Sequence, residues 1–333
     1  MAQDDTKIGV ILANLGTPDG HDYWSMRRYL SEFLSDKRVI NVPAWKWQPI
    51  LQAVILTLRP SKSGAAYREI WNHEADESPL LTITREQTDL VRDRLKAQFA
   101  DRVEVDFAMR YGNPSIKSVL SKMIENGCNR VAFFPLYPQF SGPSTATAND
   151  HFFRALMTEV QQPATRTIAP YYDNPGYIEA LAQSILRGLG DTKPDVVLAS
   201  YHGMPKSYID AGDPYVQHCE ITTDLLRTRL GWDDDRLIST YQSRFGLAEW
   251  IPPYTIEEIA RLAQAGKRNI AVLAPGFSAD CLETLEEING EIKDAFIGAG
   301  GETFTYIPCL NSDDAHIKML SDVITENLAG WAD

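Results

Sequence analysis

The sequence is poor in positive charge and has no long apolar run. Its 333 residues include 32 Lys and Arg against 45 Asp and Glu, a formal net charge of −13 at pH 7. This charge repels phosphate backbones and argues against nucleic acid as a partner, and an anionic ligand would need a local basic pocket. No uncharged apolar stretch reaches the ~18 residues of a membrane-spanning helix. The acidic start, MAQDDTK, lacks the basic region of a signal peptide.

Cysteine is scarce, and several common motifs are missing. Cys128, Cys219, Cys281 and Cys309 show no CxxC or other metal-ligand spacing. We interpret them as reduced thiols of a cytoplasmic protein. The phosphate-binding motifs GxxxxGK[ST] and GxGxxG are absent, as is the nucleophile motif GxSxG. The familiar phosphate-binding loops therefore do not explain this chain.

Eight short apolar runs alternate with helical patterns along the chain. They lie at residues 7–14, 103–109, 130–137, 165–171, 195–201, 236–242, 269–275 and 303–308. Such nearly continuous apolar runs are typical of strands covered on both faces. Alternating strands and helices predict parallel sheets with right-handed crossovers. The length suits two domains, so we expect each half to form a small α/β sheet flanked by helices.

We place the domain boundary near residue 172. The predicted domains are 1–172 and 173–312, and the amphipathic helix 313–331 is expected to pack back onto the first. Segment 41–60, NVPAWKWQPILQAVILTLRP, interrupts the pattern with two tryptophans and a long apolar face. It is compatible with a core helix or with an exposed apolar lip for a greasy ligand or a membrane surface.

Candidate chemistry lies just beyond two strands, where open α/β sheets bind their ligands. His202 ends the fifth apolar run, and Gly203 behind it permits close backbone approach. After the seventh run, Glu283, Glu287 and Glu291 follow an i, i+4, i+8 spacing, which forms one column on an α-helix. Imidazole and carboxylate both bind divalent metals, and so few ligands suit a site that holds a metal briefly. A structural histidine beside an ordinary acidic surface is the alternative.

Seven motifs then stand out in chain order: NLGTP (14–18), MRYGNP (109–114), PLYPQFS (135–141), SYHGMP (200–205), GDPY (212–215), QSRFG (242–246) and PGFSADCLETLEEI (275–288). Together they resemble the ferrochelatase family, the terminal enzymes of haem synthesis. The resemblance covers nearly the whole chain. It implies a chelatase-like α/β fold of two Rossmann-like domains, each a four-stranded parallel sheet flanked by helices, with the active-site cleft between them.

The resemblance also implies an activity. It is the insertion of Fe(II) into protoporphyrin IX, which gives protohaem and releases two pyrrole protons. Iron is then a substrate, no cofactor is bound permanently, and family habit implies a monomer. The lip at 41–60 would contact a membrane peripherally and receive porphyrin there. Two alternatives stay open: chelation of coproporphyrin III or a cobalt-receiving precursor, and a non-catalytic carrier of haem or metal.

Motif position assigns residues to this activity. His202 corresponds to the family's active-site histidine and Glu283 to its partner carboxylate, both as catalytic groups and as metal ligands. Glu287 and Glu291 fall on an acidic line that relays charge outward. The residues assigned to porphyrin binding are Leu15, Arg59, Tyr67, Arg110, Tyr111 and Trp250. Of these, Arg59 is the candidate partner of a propionate.

Two departures from the family pattern concern cysteine. Cys281 occupies a position that is histidine in many relatives, so a second-histidine role is not carried over. Some relatives hold a [2Fe–2S] cluster, and Gly142 stands where those relatives have one of its cysteines. The last cysteine of this chain is Cys309. We therefore expect no cluster.

Overall fold

A computed structural model describes residues 7–246 and 248–332 of the chain. Within these ranges eight strands form two four-stranded sheets. The strands are β1 (Lys7–Gly16), β2 (Val103–Tyr111), β3 (Cys128–Pro135), β4 (Ala164–Thr167), β5 (Val196–His202), β6 (Leu237–Gln242), β7 (Asn269–Leu273) and β8 (Thr303–Ile307). Each apolar run of the sequence is a strand, so the strand predictions are confirmed.

Helices fill the connections between the strands. The α-helices are α1 (Tyr23–Ser35), α2 (Ala44–Ile50), α3 (Leu56–Ile70), α4 (Pro79–Phe99), α5 (Ile116–Glu125), α6 (Thr147–Leu156), α7 (Pro175–Leu189), α8 (Lys206–Asp210), α9 (Tyr215–Leu230), α10 (Thr255–Gln264), α11 (Lys293–Gly298) and α12 (Asp314–Asn327). A 3₁₀ turn covers Ala100–Arg102. π-helical segments cover Leu51–Ile55, Gly142–Ala146 and Glu283–Ile292.

The two sheets repeat one topology. The strand order is β2-β1-β3-β4 in the first and β6-β5-β7-β8 in the second, and all pairs are parallel. The central strands β1 and β5 are buried along nearly their whole length, which explains their continuous apolar sequence. The fold of two Rossmann-like sheets flanked by helices is therefore confirmed.

Local sequence signals set the starts of the long helices. Ser78 caps α4 by accepting a hydrogen bond from the backbone N–H of Leu81, and Pro79 takes the first helical position. Asn174 caps α7 in the same way, followed by Pro175. A side-chain cap satisfies a backbone donor that has no partner inside the helix, so these positions favour a helix start.

The chain divides into two compact units. The first comprises residues 1–136, 142–170 and 317–333, and the second comprises 137–141 and 171–316. The last helix belongs with the first unit from Ile317 onward, and the Trp331 ring there lies 4.2 Å from the guanidinium of Arg166. The short segment 137–141, which the sequence analysis assigned to the first domain, clusters with the second because the Gln139 amide bonds Thr222 at 3.1 Å.

The segment 41–60 has both an apolar outer face and a core face. Leu51 and Leu56 are buried, whereas Trp45 and Leu58 are 74% and 71% exposed. The two alternatives from the sequence therefore describe opposite sides of one segment. None of the helices in the described ranges has both the length and the hydropathy to cross a membrane.

Candidate functional site

His202 is the last residue of β5, and the strand register sets it beside Gln242 at the end of β6. Its Nδ1 lies 2.7 Å from the backbone carbonyl oxygen of Gly203. A carbonyl only accepts, so Nδ1 carries the proton and Nε2 carries the lone pair of the neutral ring. The Nε2 atom is therefore able to take a proton or to bind a metal.

Gly203 is required by the packing behind His202. Its N–H donates to the Gln242 carbonyl at 2.8 Å, and a Cβ at this position would stand 2.5 Å from that oxygen. The same Cβ would lie 3.1 Å from the indole of Trp250, which is 4% exposed. Trp250 thus packs beneath the backbone that carries His202.

Glu287 lies close to His202 and is held by the end of β6. One carboxylate oxygen accepts from the Ser243 N–H at 2.7 Å, and the other accepts from the Ser243 hydroxyl at 2.5 Å and the Gln242 amide at 3.2 Å. Partial burial raises the pKa of Glu287; the bonds from Ser243 and the charge of His202 oppose this shift, and the charge of Glu283 adds to it. His202, Glu283 and Glu287 therefore form one electrostatic group.

The acidic column lies on a π-helix, Glu283–Ile292, so the expectation of an α-helix was wrong. Glu283 and Glu287 are partly buried, whereas Glu291 is exposed. A π-helix bonds residue i to i+5, which changes the angular spacing that the i+4 count assumed. The Gln242 amide also donates to the carbonyl oxygen of Glu283 at 2.8 Å and so contacts both ends of this first turn.

Asp280 anchors the start of this π-helix. Its side chain accepts hydrogen bonds from the Thr284 hydroxyl at 3.1 Å, the Cys309 N–H at 3.2 Å and the Asn311 amide at 2.7 Å. Asp280 is 6% exposed, so these donors compensate a buried carboxylate. The anchor draws on residues far along the chain, which a local sequence pattern does not reveal.

In the first unit, Arg110 and Tyr111 end β2 and share one carboxylate. Tyr111 donates to Asp36 at 2.9 Å, Arg110 pairs with the same oxygen, and the Arg110 Nε donates to Thr147 at 2.7 Å. The guanidinium also lies 4.0 Å from the Tyr111 ring centroid. Burial opposes ionisation of Asp36, but the Thr147 bond and the charge of Arg110 outweigh it and lower the pKa of Asp36.

The other residues assigned to porphyrin binding lie on different elements. Leu15 is partly buried near the end of β1. Arg59 and Tyr67 lie on α3, where Arg59 is exposed and Tyr67 is buried with its ring 6.3 Å from that of Trp71. Their role in binding stays a prediction.

Comparison with known proteins identifies the family. The ferrochelatase family model matches residues 7–328. The chain is 60% identical to a ferrochelatase of Rhodobacter capsulatus, with 98% of this chain and 94% of that protein covered. It is 54% identical to one from Chelativorans sp., with 98% and 92% covered. The chain belongs to the ferrochelatase family.

Solved structures support the fold of this ferrochelatase-family chain. SirB from Bacillus subtilis with Fe3+ matches with a TM-score of 0.57 at 9% identity, and 98% of this chain and 99% of that chain are covered. The sirohydrochlorin chelatase SirB from Bacillus subtilis subspecies spizizenii in complex with cobalt matches with a TM-score of 0.56 at 11% identity, covering 98% and 99%. At such low identity the likeness concerns the fold alone.

Cys281 stands where the family resemblance implies a histidine in many relatives, and its thiol differs from an imidazole as a base and as a metal ligand. The thiol is 6% exposed, and burial, with Glu283 adjacent, raises its pKa well above the ordinary value. A thiol that stays protonated near neutral pH is a poor metal ligand and a poor base. That Cys281 takes over no second-histidine role stays a prediction.

Sequence reasoning missed two residues that shape these sites. Ser243 appeared only within the motif QSRFG, yet its N–H and hydroxyl hold both oxygens of Glu287. Asp36 gave no signal, because it lies just after α1 in an ordinary charged stretch. Its importance comes from Arg110 and Tyr111, which lie more than 70 positions away in the sequence.

Proposed function

We propose that the chain is a lyase that inserts Fe(II) into protoporphyrin IX, the last step of haem formation. The reaction releases two pyrrole protons and gives protohaem, so iron is a substrate and needs no resident cofactor. The observation that carries this proposal is the tautomer of His202. Its Nδ1 is committed to Gly203, and this leaves the Nε2 lone pair for a substrate proton or for iron.

His202 and Glu283 perform the proton and metal chemistry. A pyrrole nitrogen binds iron only after its proton has left, so a base must act before or during metal binding. His202 Nε2 is suited to take that proton, since its lone pair is not used by the hydrogen bond of Nδ1 to Gly203. Glu283 supplies a carboxylate in the same electrostatic group, which stabilises both the protonated ring and a bound cation.

Glu287 and Glu291 carry the released protons away. The raised pKa of Glu287 means that this carboxyl binds a proton more readily than an ordinary glutamate at the same pH. Ser243 fixes both of its oxygens, so the group stays in place as it is charged and discharged. Glu291 is exposed on the same π-helix, which gives the relay an end in solvent.

The first unit holds the porphyrin. Exposed Arg59 is suited to pair with a propionate, and partly buried Leu15 supplies an apolar contact. Tyr67, Tyr111 and Trp250 are 7%, 0% and 4% exposed, so we assign all three a positioning role in place of direct contact. Tyr111 orients Arg110 through its ring and through Asp36.

We also propose that the chain holds no [2Fe–2S] cluster. Cys128 lies in the first unit, whereas Cys219, Cys281 and Cys309 lie in the second, and all four are buried. Burial raises the pKa of every one of these thiols, which disfavours the thiolates that a cluster requires. Iron and sulfide analysis of anaerobically purified protein tests this, and stoichiometric sulfide would contradict it.

The exposed face of 41–60 is proposed to contact a membrane peripherally, in a cytoplasmic monomer. Trp45 and Leu58 present large apolar side chains to solvent. Co-sedimentation with liposomes should fall in the double variant Trp45→Gln/Leu58→Gln, and unbound wild-type protein would contradict the idea. The proposed monomeric state is tested separately by the molar mass from light scattering after size-exclusion chromatography.

The decisive experiment is an anaerobic assay of the purified protein. Fe(II) is supplied with protoporphyrin IX or with coproporphyrin III, and loss of porphyrin fluorescence follows the reaction. We expect turnover with protoporphyrin IX. Binding of both substrates without turnover would instead indicate a carrier, and turnover confined to coproporphyrin III would overturn the substrate assignment.

A further inference from the structure

A cavity of about 990 Å³ opens within the first unit, on the side of α1 and α6. It is lined on several sides by positive charge. The cations are Arg27, Arg28, Lys37, Arg38, Arg110 and Arg154. Only three carboxylates, Glu32, Asp36 and Asp150, face them. In a chain of net charge −13, this is a local reversal of sign.

The three carboxylates are already engaged with three of these six cations. Asp36 pairs with Arg110, and Glu32 lies 3.7 Å from the same guanidinium. Asp150 pairs with Arg38 at 2.7 Å and lies 3.8 Å from Arg154. Within residues 7–246 and 248–332, Arg27, Arg28 and Lys37 form no ion pair. Arg27 donates to the Leu56 carbonyl and Arg28 to the Ser25 hydroxyl, which are both neutral acceptors.

Arg110 supplies an unused donor at the base of the cavity. It is 4% exposed; its Nε and Nη2 atoms have partners, but its buried Nη1 donates no hydrogen bond. Glu32 Oε1 pairs with this Nη1 at 3.7 Å, which is within ion-pair distance but too long for a hydrogen bond. A buried guanidinium N–H without an acceptor is costly, and such a group in a polar cavity indicates a missing acceptor.

The neighbouring His151 adds no positive charge to the cavity. It lines the same cavity, and burial together with the charges of Arg110 and Arg154 lowers its pKa to about 4. The imidazole is therefore neutral at physiological pH and adds no further charge. A divalent cation would meet net repulsion in these surroundings, whereas an anion would not.

We propose that this cavity is an oxyanion site, which binds a carboxylate or a phosphate group against Arg110 Nη1 with Arg28 and Lys37 above it. Guanidinium groups recognise both anions through charge-assisted hydrogen bonds. The oxyanion has two potential sources: a free anion such as inorganic phosphate, or a carboxylate of the porphyrin substrate. The second source rests on the proposed function, and the first does not.

The test uses the exposed members of the site, because they can be changed without disturbing the core. Inorganic phosphate is titrated calorimetrically at low salt into wild type, into Arg28→Gln/Lys37→Gln, and into Lys117→Gln as a control. Lys117 is an exposed lysine on α5 of the same unit. We expect the double variant to weaken phosphate binding by about tenfold and the control to leave it within about twofold.

The source is identified by iron insertion with protoporphyrin IX and with its dimethyl ester, which has no free carboxylate. A substrate carboxylate in the site predicts that phosphate competes with protoporphyrin IX, and that the double variant raises KM for the diacid but not for the ester. A free anion predicts weakened phosphate binding with both KM values unchanged. Either pattern supports the oxyanion site.

The proposal is overturned if wild-type protein binds no phosphate and the double variant has normal KM values. It is also overturned if phosphate binds equally well to wild type and to the double variant. The calorimetric titration does not require turnover. It therefore tests the oxyanion site even if the protein does not insert iron.

Discussion

The two sheets share a strand order, yet the carboxyl ends of β2 in the first and β5 in the second carry opposite chemistry. At the first, a buried arginine, Arg110, shares Asp36 with Tyr111. At the second, a partly buried carboxylate, Glu287, lies beside His202 and is held by neutral donors. The first sheet therefore carries a buried ion pair at this edge, and the second carries a carboxylate beside a histidine.

The difference shows how one scaffold supports two tasks. Asp36 has a lowered pKa and stays ionised, so the Arg110 cluster is a permanent charge arrangement suited to hold an anion. Burial raises the pKa of Glu287, so this carboxyl binds a proton more readily than an ordinary glutamate at the same pH. Four substitutions test this contrast, in order of expected effect.

The largest effect is expected from His202→Ala. Removal of the Nε2 lone pair should lower the rate of iron insertion by at least about 100-fold, as is usual for loss of a general base. Porphyrin affinity, measured by fluorescence titration, should change little. His73→Ala is the matched control, because this histidine is exposed in the first unit. Near-normal turnover in His202→Ala would contradict the assignment of His202 as a catalytic residue.

Asp36→Ala should be the most destabilising change. It leaves Arg110 buried without its carboxylate, which costs about 3–5 kcal/mol in the free energy of unfolding. The pKa of Asp36 is lowered in the folded state, so its contribution is complete above about pH 4, the ordinary value for aspartate, and is lost as pH falls further. Urea unfolding at pH 7 measures the cost, with exposed Asp93→Asn as control. Equal stability in both variants would contradict a permanent ion pair.

Gly203→Ala should have an intermediate effect. The added methyl group meets the Gln242 carbonyl and the Trp250 ring, and overpacking of this kind costs about 1–3 kcal/mol. The shift of the backbone should also displace His202 and lower turnover. Gly298→Ala is the control, since a Cβ there meets no atom within 4 Å. If the free energy of unfolding and the turnover rate of Gly203→Ala equal those of the control, the close packing behind His202 is not needed.

Glu287→Gln should have the smallest effect. Glutamine keeps the shape and part of the hydrogen bonding to Ser243 but removes the titratable group. The rate should show a changed dependence on Fe(II) concentration and on pH, while stability changes by less than about 1 kcal/mol. Exposed Glu302→Gln serves as control. An iron profile identical to wild type would argue against the relay.

Much of the architecture could be read from local patterns. All eight strands followed from short apolar runs. For β1 and β5 the reason is burial on both faces, which excludes polar residues, whereas β4 is mostly exposed. The start of α4 followed from Ser78 and Pro79. The π-helix at Glu283–Ile292 could not be read in this way, since its i+4 spacing is equally compatible with an α-helix, and its anchor at Asp280 depends on residues 309 and 311.

For the sites, the sequence by itself determined which residue types follow each strand: the imidazole of His202, the glycine behind it and the row of glutamates. Only the tertiary structure decided their electrostatic state. It gave Glu287 its raised pKa through burial beside Ser243, and it turned Arg110 and Tyr111 inward onto Asp36. The physical reason is that pKa values and hydrogen-bond satisfaction depend on distance and burial, and both are set by contacts between segments far apart in the chain.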